Sequence, residues 1–290
     1  MGLLDGKVAF ITGAGRGQGR SHAVRLAQEG ADIVAVDICA QIPSIEIPLS
    51  SRDDLEETRQ LVEEAGGRIV CGVGDVRDRE RLAQIARDAM DAFGRIDIVL
   101  PNAGVWGANT LTQGGIDAPM EPGGREQIFR DTIDVNLFGV WNTMQVTIPH
   151  LIAGGRGGTI VLTSSTAGAH GVPMNDFAQD AYAAAKHGIV GLMQNAAIEL
   201  ASHWIRVNVV MPTGVRTPMF DNPVVARYFE AKPELGGLFG NALNVPMIDP
   251  VDVSNAIVYL ASDLGRYITG VSLPVDAGFL VAGGLGPKYV

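Results

Sequence analysis

Seven short runs rich in β-branched and other apolar residues recur along the chain: "KVAFITG", "DIVAVD", "RIVCGVGDV", "IDIVLPNAG", "GTIVLTSS", "IRVNVVMP" and "GVSLPVDAG". Helix-length amphipathic segments separate them. Strands so separated cannot pair as tight hairpins; they pair in parallel, through crossovers that pack helices on both faces of the sheet. The runs are nearly all apolar, as burial on both faces requires. The fold class expected is therefore α/β: a doubly wound parallel sheet of seven strands with helices on both faces, in a single domain over residues 1–290.

Helix signals fall where this scheme needs them. Ser51 with Asp54 reads as a capping box, followed by Leu55, Thr58, Val62 and Ala65 at helical spacing and a stop at Gly66. Asp78 starts the next helix, with a stripe of Leu82, Ile85, Ala86, Ala89 and Phe93 ended by Gly94, and Asp249 with Pro250 opens the last. Three stretches break the alternation: residues 38–50, 105–124 and 213–248. They hold too many Trp, Phe, Met, Ile and Leu residues to be solvated linkers, and are expected to be inserted loops that cover something.

The charge balance narrows the partners. With 32 acidic residues against 22 basic and no Lys/Arg cluster, nucleic acid is not an expected partner. No apolar run reaches the roughly 18 residues of a membrane span, and "MGLLDGKVAFITG" lacks the basic start and cleavage site of a signal peptide. Gly6 stands where a myristoylation signal needs Ser or Thr, so a soluble, cytoplasmic protein is expected. Cys39 and Cys71 have no metal-ligand spacing; they read as buried small hydrophobes, and no metal is expected.

Chemistry enters with "TGAGRGQG", directly after the first strand. Gly13, Gly17 and Gly19 let the backbone approach a pyrophosphate, and the following helix N-terminus supplies free N–H groups. About 20 residues further on, Asp37 ends the second strand, where a carboxylate holds adenosine ribose hydroxyls. That carboxylate repels the 2′-phosphate of NADP, and Ile38 offers no compensating charge. Arg16 is a mild contrary signal, and the balance favours NAD. The structural alternative is an acidic strand end beside a solvated Arg16.

"YAAAK" puts Tyr182 and Lys186 on one helix face. A neighbouring ammonium favours phenolate over phenol, moving a pKa of about 10 toward the working pH of a general acid/base. Alone, this spacing describes many ordinary helix surfaces. Upstream, however, "TIVLTSSTAG" ends a strand with Ser164 and Ser165, and the C-terminal strand edge is where such sheets bind ligands.

At this point the chain resembles the short-chain dehydrogenase/reductase family over practically its whole length. The matching motifs are TGxxxGxG at residues 12–19, Asp37, "DV" at Asp75 and Val76, "NAG" at Asn102, Ala103 and Gly104, and Asn136, Ser165, Tyr182 and Lys186. The resemblance implies a Rossmann-type domain, a homotetramer, and a nicotinamide meeting an alcohol or ketone above the strand ends. It implies that Tyr182 exchanges the alcohol proton, that Lys186 lowers the tyrosine pKa and holds the nicotinamide ribose, that Ser165 hydrogen-bonds the substrate oxygen, and that Asn136 positions a water linking Lys186 to solvent. Ser165 is preferred to Ser164 because it directly precedes "TAG"; the adjacent hydroxyl is taken as structural. The implied cofactor-binding set is Gly13, Arg16, Gly17, Gln18, Gly19, Asp37, Ile38, Asp75, Val76, Asn102, Ala103, Gly104, Tyr182, Lys186, Val215 and Thr217. In "MPTGVRTPM" Thr213 intervenes where the family has Pro followed directly by Gly, a departure that bears on the local backbone. His187 points about 100° away from Lys186 on a helix and reads as a packing residue.

The long insertion after Asp37 looks like that of the mycofactocin-associated branch, whose members resemble carveol dehydrogenase. In that branch the insertion covers NAD, which stays bound and is reoxidised in place by mycofactocin. Ile42, Ile45, Ile47 and Leu49 give such a flap an apolar underside; the alternative is a loop that only extends the core or a subunit contact. Trp106, Met174, Phe177, Met219, Phe220 and residues 224–243 are expected to form a pocket for a hydrophobic secondary alcohol or its ketone, carveol-like or terpenoid. Two other readings stay open: an ordinary short-chain alcohol dehydrogenase or ketoreductase with freely exchanging NAD(H), and a non-catalytic NAD-binding sensor.

Overall fold

All seven apolar runs are strands of one parallel sheet: β1 (Val8–Thr12), β2 (Asp32–Asp37), β3 (Ile69–Val73), β4 (Ile98–Leu100), β5 (Gly158–Thr163), β6 (Ile205–Pro212) and β7 (Ser272–Val275), in the order β3-β2-β1-β4-β5-β6-β7. The computed structural model describes residues 2–108, 124–171, 174, 177–233, 235 and 240–283, the side chain of Phe177 excepted. Alternate residues of a strand face opposite ways. Thus Val8, Phe10, Val34 and Val36 enter one core, and Ala9, Ile11, Ile33 and Ala35 enter the other. Helices α1 (Gly17–Gln28), α2 (Arg52–Glu64) and α8 (Pro250–Ala261) cover the second core. Helices α3 (Arg79–Phe93), α5 (Gly139–Gly154) and α6 (Phe177–Glu199) cover the first. A helix α4 (Gly124–Ile133) runs through a π turn (Asp134–Phe138) into α5, and α7 (Pro223–Ala231) lies in the segment after β6. Among the described residues no helix is long and apolar enough to cross a membrane.

Local chemistry fixes the helix ends. Ser51 N donates to Asp54 Oδ2 at 2.7 Å and Asp54 N to Ser51 Oγ at 3.1 Å, the reciprocal capping box. Asp78 caps α3 through Arg81 N at 3.0 Å, and Gly94 closes it in the left-handed region at φ +72°. The helix opened by Asp249 and Pro250 is not the last, because a four-residue turn, α9 (Phe279–Ala282), follows β7. Two expectations fail at the sheet edges. β3 and β7 are only partly buried, since an edge strand lacks a neighbour on one side, and Cys71 on β3 is exposed while Cys39 is half-buried. Both cysteines are free.

The stretch from 38 to 50 is a folded flap. Ile42, Ile45 and Ile47 are 3%, 1% and 2% exposed and belong to the core shared with α3 and α5. One side chain organises it: Gln41 Nε2 donates to the carbonyls of Ile42 at 3.4 Å, Ile47 at 3.3 Å and Ile45, while its Oε1 accepts from Leu49 N at 3.0 Å. Ser44 Oγ donates to Asp131 Oδ2 on α4 at 2.6 Å, and Asp131 pairs with Arg77 at 2.7 Å. Of the second irregular stretch, residues 109–123 lie outside the described residues. Ser51→Ala removes the side-chain half of the capping box, leaving only the Ser51 N to Asp54 bond, and is expected to lower unfolding free energy by about 1 kcal/mol in urea titration; an unchanged midpoint would show that this cap does not hold α2.

Candidate active site

The strand order reverses between β1 and β4, and a crevice opens above their C-terminal ends. β1 delivers Gly13 at φ +68°, where a Cβ would lie 2.7 Å from Ala103 Cα; a Cβ on Gly19 would lie 2.0 Å from Gly13 O. Only glycine permits this tight turn, which leads into the N-terminus of α1 with its free N–H groups. Asp37 Oδ2 accepts from Gly15 N at 2.7 Å, and Oδ1 accepts from Cys39 N at 3.3 Å and from Ser50 Oγ. Arg16 donates to the Pro48 carbonyl. The arginine that argued mildly for NADP is therefore bonded to the flap.

The resulting cleft, of about 1110 Å³ and open to solvent, is lined by Gly13, Arg16, Gly17, Gln18, Gly19, Asp37 and Ile38 on one side and by Asp75, Val76, Asn102, Ala103 and Gly104 on the other. Ile42, Ile45, Ile47, Leu49 and Ser50 wall it as well, so the flap both extends the core and covers the cleft. Asp75 is held by Arg77 at 2.7 Å. Asn102 turns its Nδ2 to the Thr12 carbonyl at 3.1 Å and accepts from Thr163 Oγ1 at 3.3 Å, which bolts β1 to β5 across β4. Glycine turn, helix N-terminus and strand-end acid together fit a dinucleotide.

Tyr182 and Lys186 rise from α6 into the same crevice. Lys186 is 3% exposed, its Nζ donates to Thr163 O at 2.9 Å, and it sits 5.4 Å from the Tyr182 ring centroid. Burial lowers its pKa to about 8. Burial also pushes the Tyr182 phenol up to about 12, opposed by its hydrogen bond with Ser165. Removal of the phenolate from water sets this upward direction in the free protein. Ser165 caps a short 3₁₀ turn, accepting from Ala167 N at 3.1 Å, whereas Ser164 donates to the Lys186 carbonyl at 2.8 Å and is buried. Asn136 lies in the π turn, a device frequent at functional sites. Its amide is engaged on both sides by Val105, accepting from N at 2.8 Å and donating to O at 2.8 Å, so it pins the segment after β4. His187 is exposed and bonded to its own helix at Ala183 O, not packed.

A second cavity, of about 750 Å³, adjoins the cleft. Both share Gln18, Trp106, Ser164, Tyr182, Thr217 and Met219 as walls. Met174, Phe220 and Val215 line only the second, so Val215 stands away from the main cleft. Trp106 stacks on Phe220 at 5.7 Å and meets Tyr228 of α7 edge-on at 5.4 Å. The expected contribution of residues 224–243 is corrected: Val224, Val225 and Tyr228 are buried behind the wall, Leu243 is 64% exposed, and residues 234 and 236–239, like the Phe177 side chain, lie outside the described residues. Phe279 and Gln179 line the cavity unanticipated. The apolar "GFLVAGG" after β7 carried a signal for the first; only the position of Gln179 one turn before Tyr182 pointed to the second. The intervening Thr213 is accommodated by hydrogen bonds to Val275 O at 3.3 Å and Asn241 Oδ1 at 2.9 Å.

A family model described as short chain dehydrogenase matches residues 7–224. The chain belongs to the short-chain dehydrogenase family. Among family members, (-)-trans-carveol dehydrogenase of Rhodococcus erythropolis is 45% identical over 287 residues, covering 96% of this chain and 99% of that protein. The crystal structure of carveol dehydrogenase from Mycobacterium avium in complex with NAD is 46% identical and superposes with a TM-score of 0.87, over 97% of this chain and 100% of that one. A short chain dehydrogenase from Mycobacterium paratuberculosis bound to NAD gives 43% identity and a TM-score of 0.82, over 96% and 98% of the two chains.

The lowered pKa of Lys186 has a measurable consequence for this dehydrogenase. Below pH 8 the ammonium is charged in folded and unfolded chains alike, and its burial penalty is fully felt. Between about 8 and 10.5 the folded chain has shed a proton that the unfolded chain keeps, so stability rises with pH. Lys186→Met, refolded without cofactor, is expected to lack this rise, so that in urea titrations the stability gap between the two shifts in favour of wild type between about pH 8 and 10.5. A gap that stays constant with pH would contradict the burial assigned to Lys186.

Proposed function

We propose that this chain interconverts a hydrophobic secondary alcohol, carveol-like or terpenoid, and its ketone, using NAD held under the flap of residues 38–50 and reoxidised in place by mycofactocin. The observation that carries the reading is the meeting of the dinucleotide-sized cleft and the apolar cavity at Tyr182. Among the described residues, the two spaces share Tyr182 as a wall, and there reacting carbon and hydride acceptor can approach each other. The preference for NAD rests on Asp37 and on the engagement of Arg16 by Pro48. The carveol-like substrate rests on the Trp106, Phe220, Met174 and Met219 wall and on the relatives named above. Retention of the cofactor rests on Ile42, Ile45 and Ile47, since affinity differences are expressed mainly in the off rate. A homotetramer and a cytoplasmic location belong to the same reading, by family resemblance.

In this reading NAD, when bound, supplies the hydride-accepting carbon. Tyr182 takes the carbinol proton in oxidation and returns it to the developing alkoxide in reduction. Ser165 hydrogen-bonds both the phenol and the substrate oxygen, where charge develops. Lys186 supplies the positive potential beside the phenolate and a donor to the nicotinamide ribose. Asn136 keeps Val105, and with it one wall of the cavity, in register with Tyr182.

Heat or acid treatment of purified protein should release NAD(H), detected by mass spectrometry, and oxidation of hydrophobic alcohols should need an artificial electron acceptor rather than added NAD. Empty protein that turns over freely with soluble NAD would remove the held cofactor and leave the dehydrogenase. Tyr182→Phe is expected to lose on the order of 10²–10⁴ in turnover while retaining NAD. Undiminished turnover in that variant would sink the assigned proton transfer.

A further inference from the structure

The cavity beside Tyr182 is not uniformly apolar. Gln179 stands three residues before Tyr182 on α6, so the two side chains share a helix face. It lines the cavity and is 7% exposed. Among the described residues its carboxamide takes part in no hydrogen bond. Its polar neighbours are different: Thr213 Oγ1 bonds to Asn241 Oδ1 at 2.9 Å, Thr217 Oγ1 donates to Val215 O at 3.3 Å, and Ser164 Oγ donates to Lys186 O at 2.8 Å. On the same wall Gln18 Oε1 and Trp106 Nε1 are fully buried without a partner, whereas the Gln179 carboxamide faces the cavity.

A carboxamide that lines a cavity and bonds to no described protein group turns to whatever fills that cavity, water first and then substrate. A substrate with a single oxygen at Tyr182 and Ser165 leaves it unpaired. We propose that Gln179 determines specificity by hydrogen-bonding a second oxygen of the substrate, so that the preferred substrate is a ring-bearing secondary alcohol or ketone with a further hydroxyl or carbonyl remote from the reacting carbon. The two residues stand one helical turn apart, with Cβ atoms roughly 5–6 Å apart, and the proposal accordingly places the second oxygen away from the reacting carbon. The inference rests on the dehydrogenase reading above and refines its substrate.

A matched pair tests it: 4-(2-hydroxypropan-2-yl)cyclohexanol and 4-tert-butylcyclohexanol, which differ by one hydroxyl in place of a methyl, assayed with an artificial electron acceptor. Wild type should favour the hydroxylated alcohol by roughly tenfold to a hundredfold in kcat/KM, the difference lying mainly in KM. Gln179→Leu should erase or invert that ratio without lowering the thermal midpoint, and Gln179→Met serves if the leucine variant does not fold. Wild type that oxidises both alcohols without preferring the first, or variants that keep the wild-type ratio, would overturn the role of Gln179 and leave the dehydrogenase standing. Oxidation of neither alcohol by NAD-loaded protein would count against both readings.

Discussion

The reversal of strand order between β1 and β4 is the constraint from which the rest of the molecule follows. Crossovers on either side of it leave in opposite directions, so no helix covers the strand ends there. The glycine turn comes from β1, the acid from β2, the Asn102 bolt from the end of β4, and Ser165 from the end of β5. Each lies in its place because the sheet is parallel and all its C-terminal ends open on one side. Tyr182 and Lys186 reach the crevice from α6, and the same helix stripe continues through Ile189, Met193 and Ala196 into the core.

How far this could be read from the sequence depended on the range of the interaction. Strands and caps are local, and continuous apolar runs, Ser51 with Asp54, and Gly94 specify them over a few residues. The residues lining the cleft were also recoverable, because a phosphate turn and a YxxxK pair encode their geometry in spacing. The protonation balance was not. Sequence puts an ammonium near Tyr182 but does not say how dry the phenol is, and the dryness decides the direction of its shift.

Long-range polar contacts were likewise hidden. Nothing in residues 38–50 announces that Ser44 meets Asp131, 87 positions away, or that one glutamine ties four backbone groups together. The substrate cavity draws on Phe279 and Gln179, whose side chains become neighbours only when α6 and the chain after β7 fold over the same opening. Residues 224–243 misled for the complementary reason: apolar content predicts burial but not which buried surface faces a ligand, and Tyr228 supports Trp106 from behind.

The flap carries a kinetic meaning beyond its contacts. Its isoleucines belong to the main core, and its backbone is gathered on the single side chain of Gln41, so it cannot peel back residue by residue. Opening it would expose these isoleucines and break the Gln41 bonds together, a local unfolding rather than the swing of an unpacked loop. Such openings steepen sharply with temperature. In the proposed reading, release of NAD from beneath the flap is coupled to the packing of these isoleucines as well as to the fit of the cofactor.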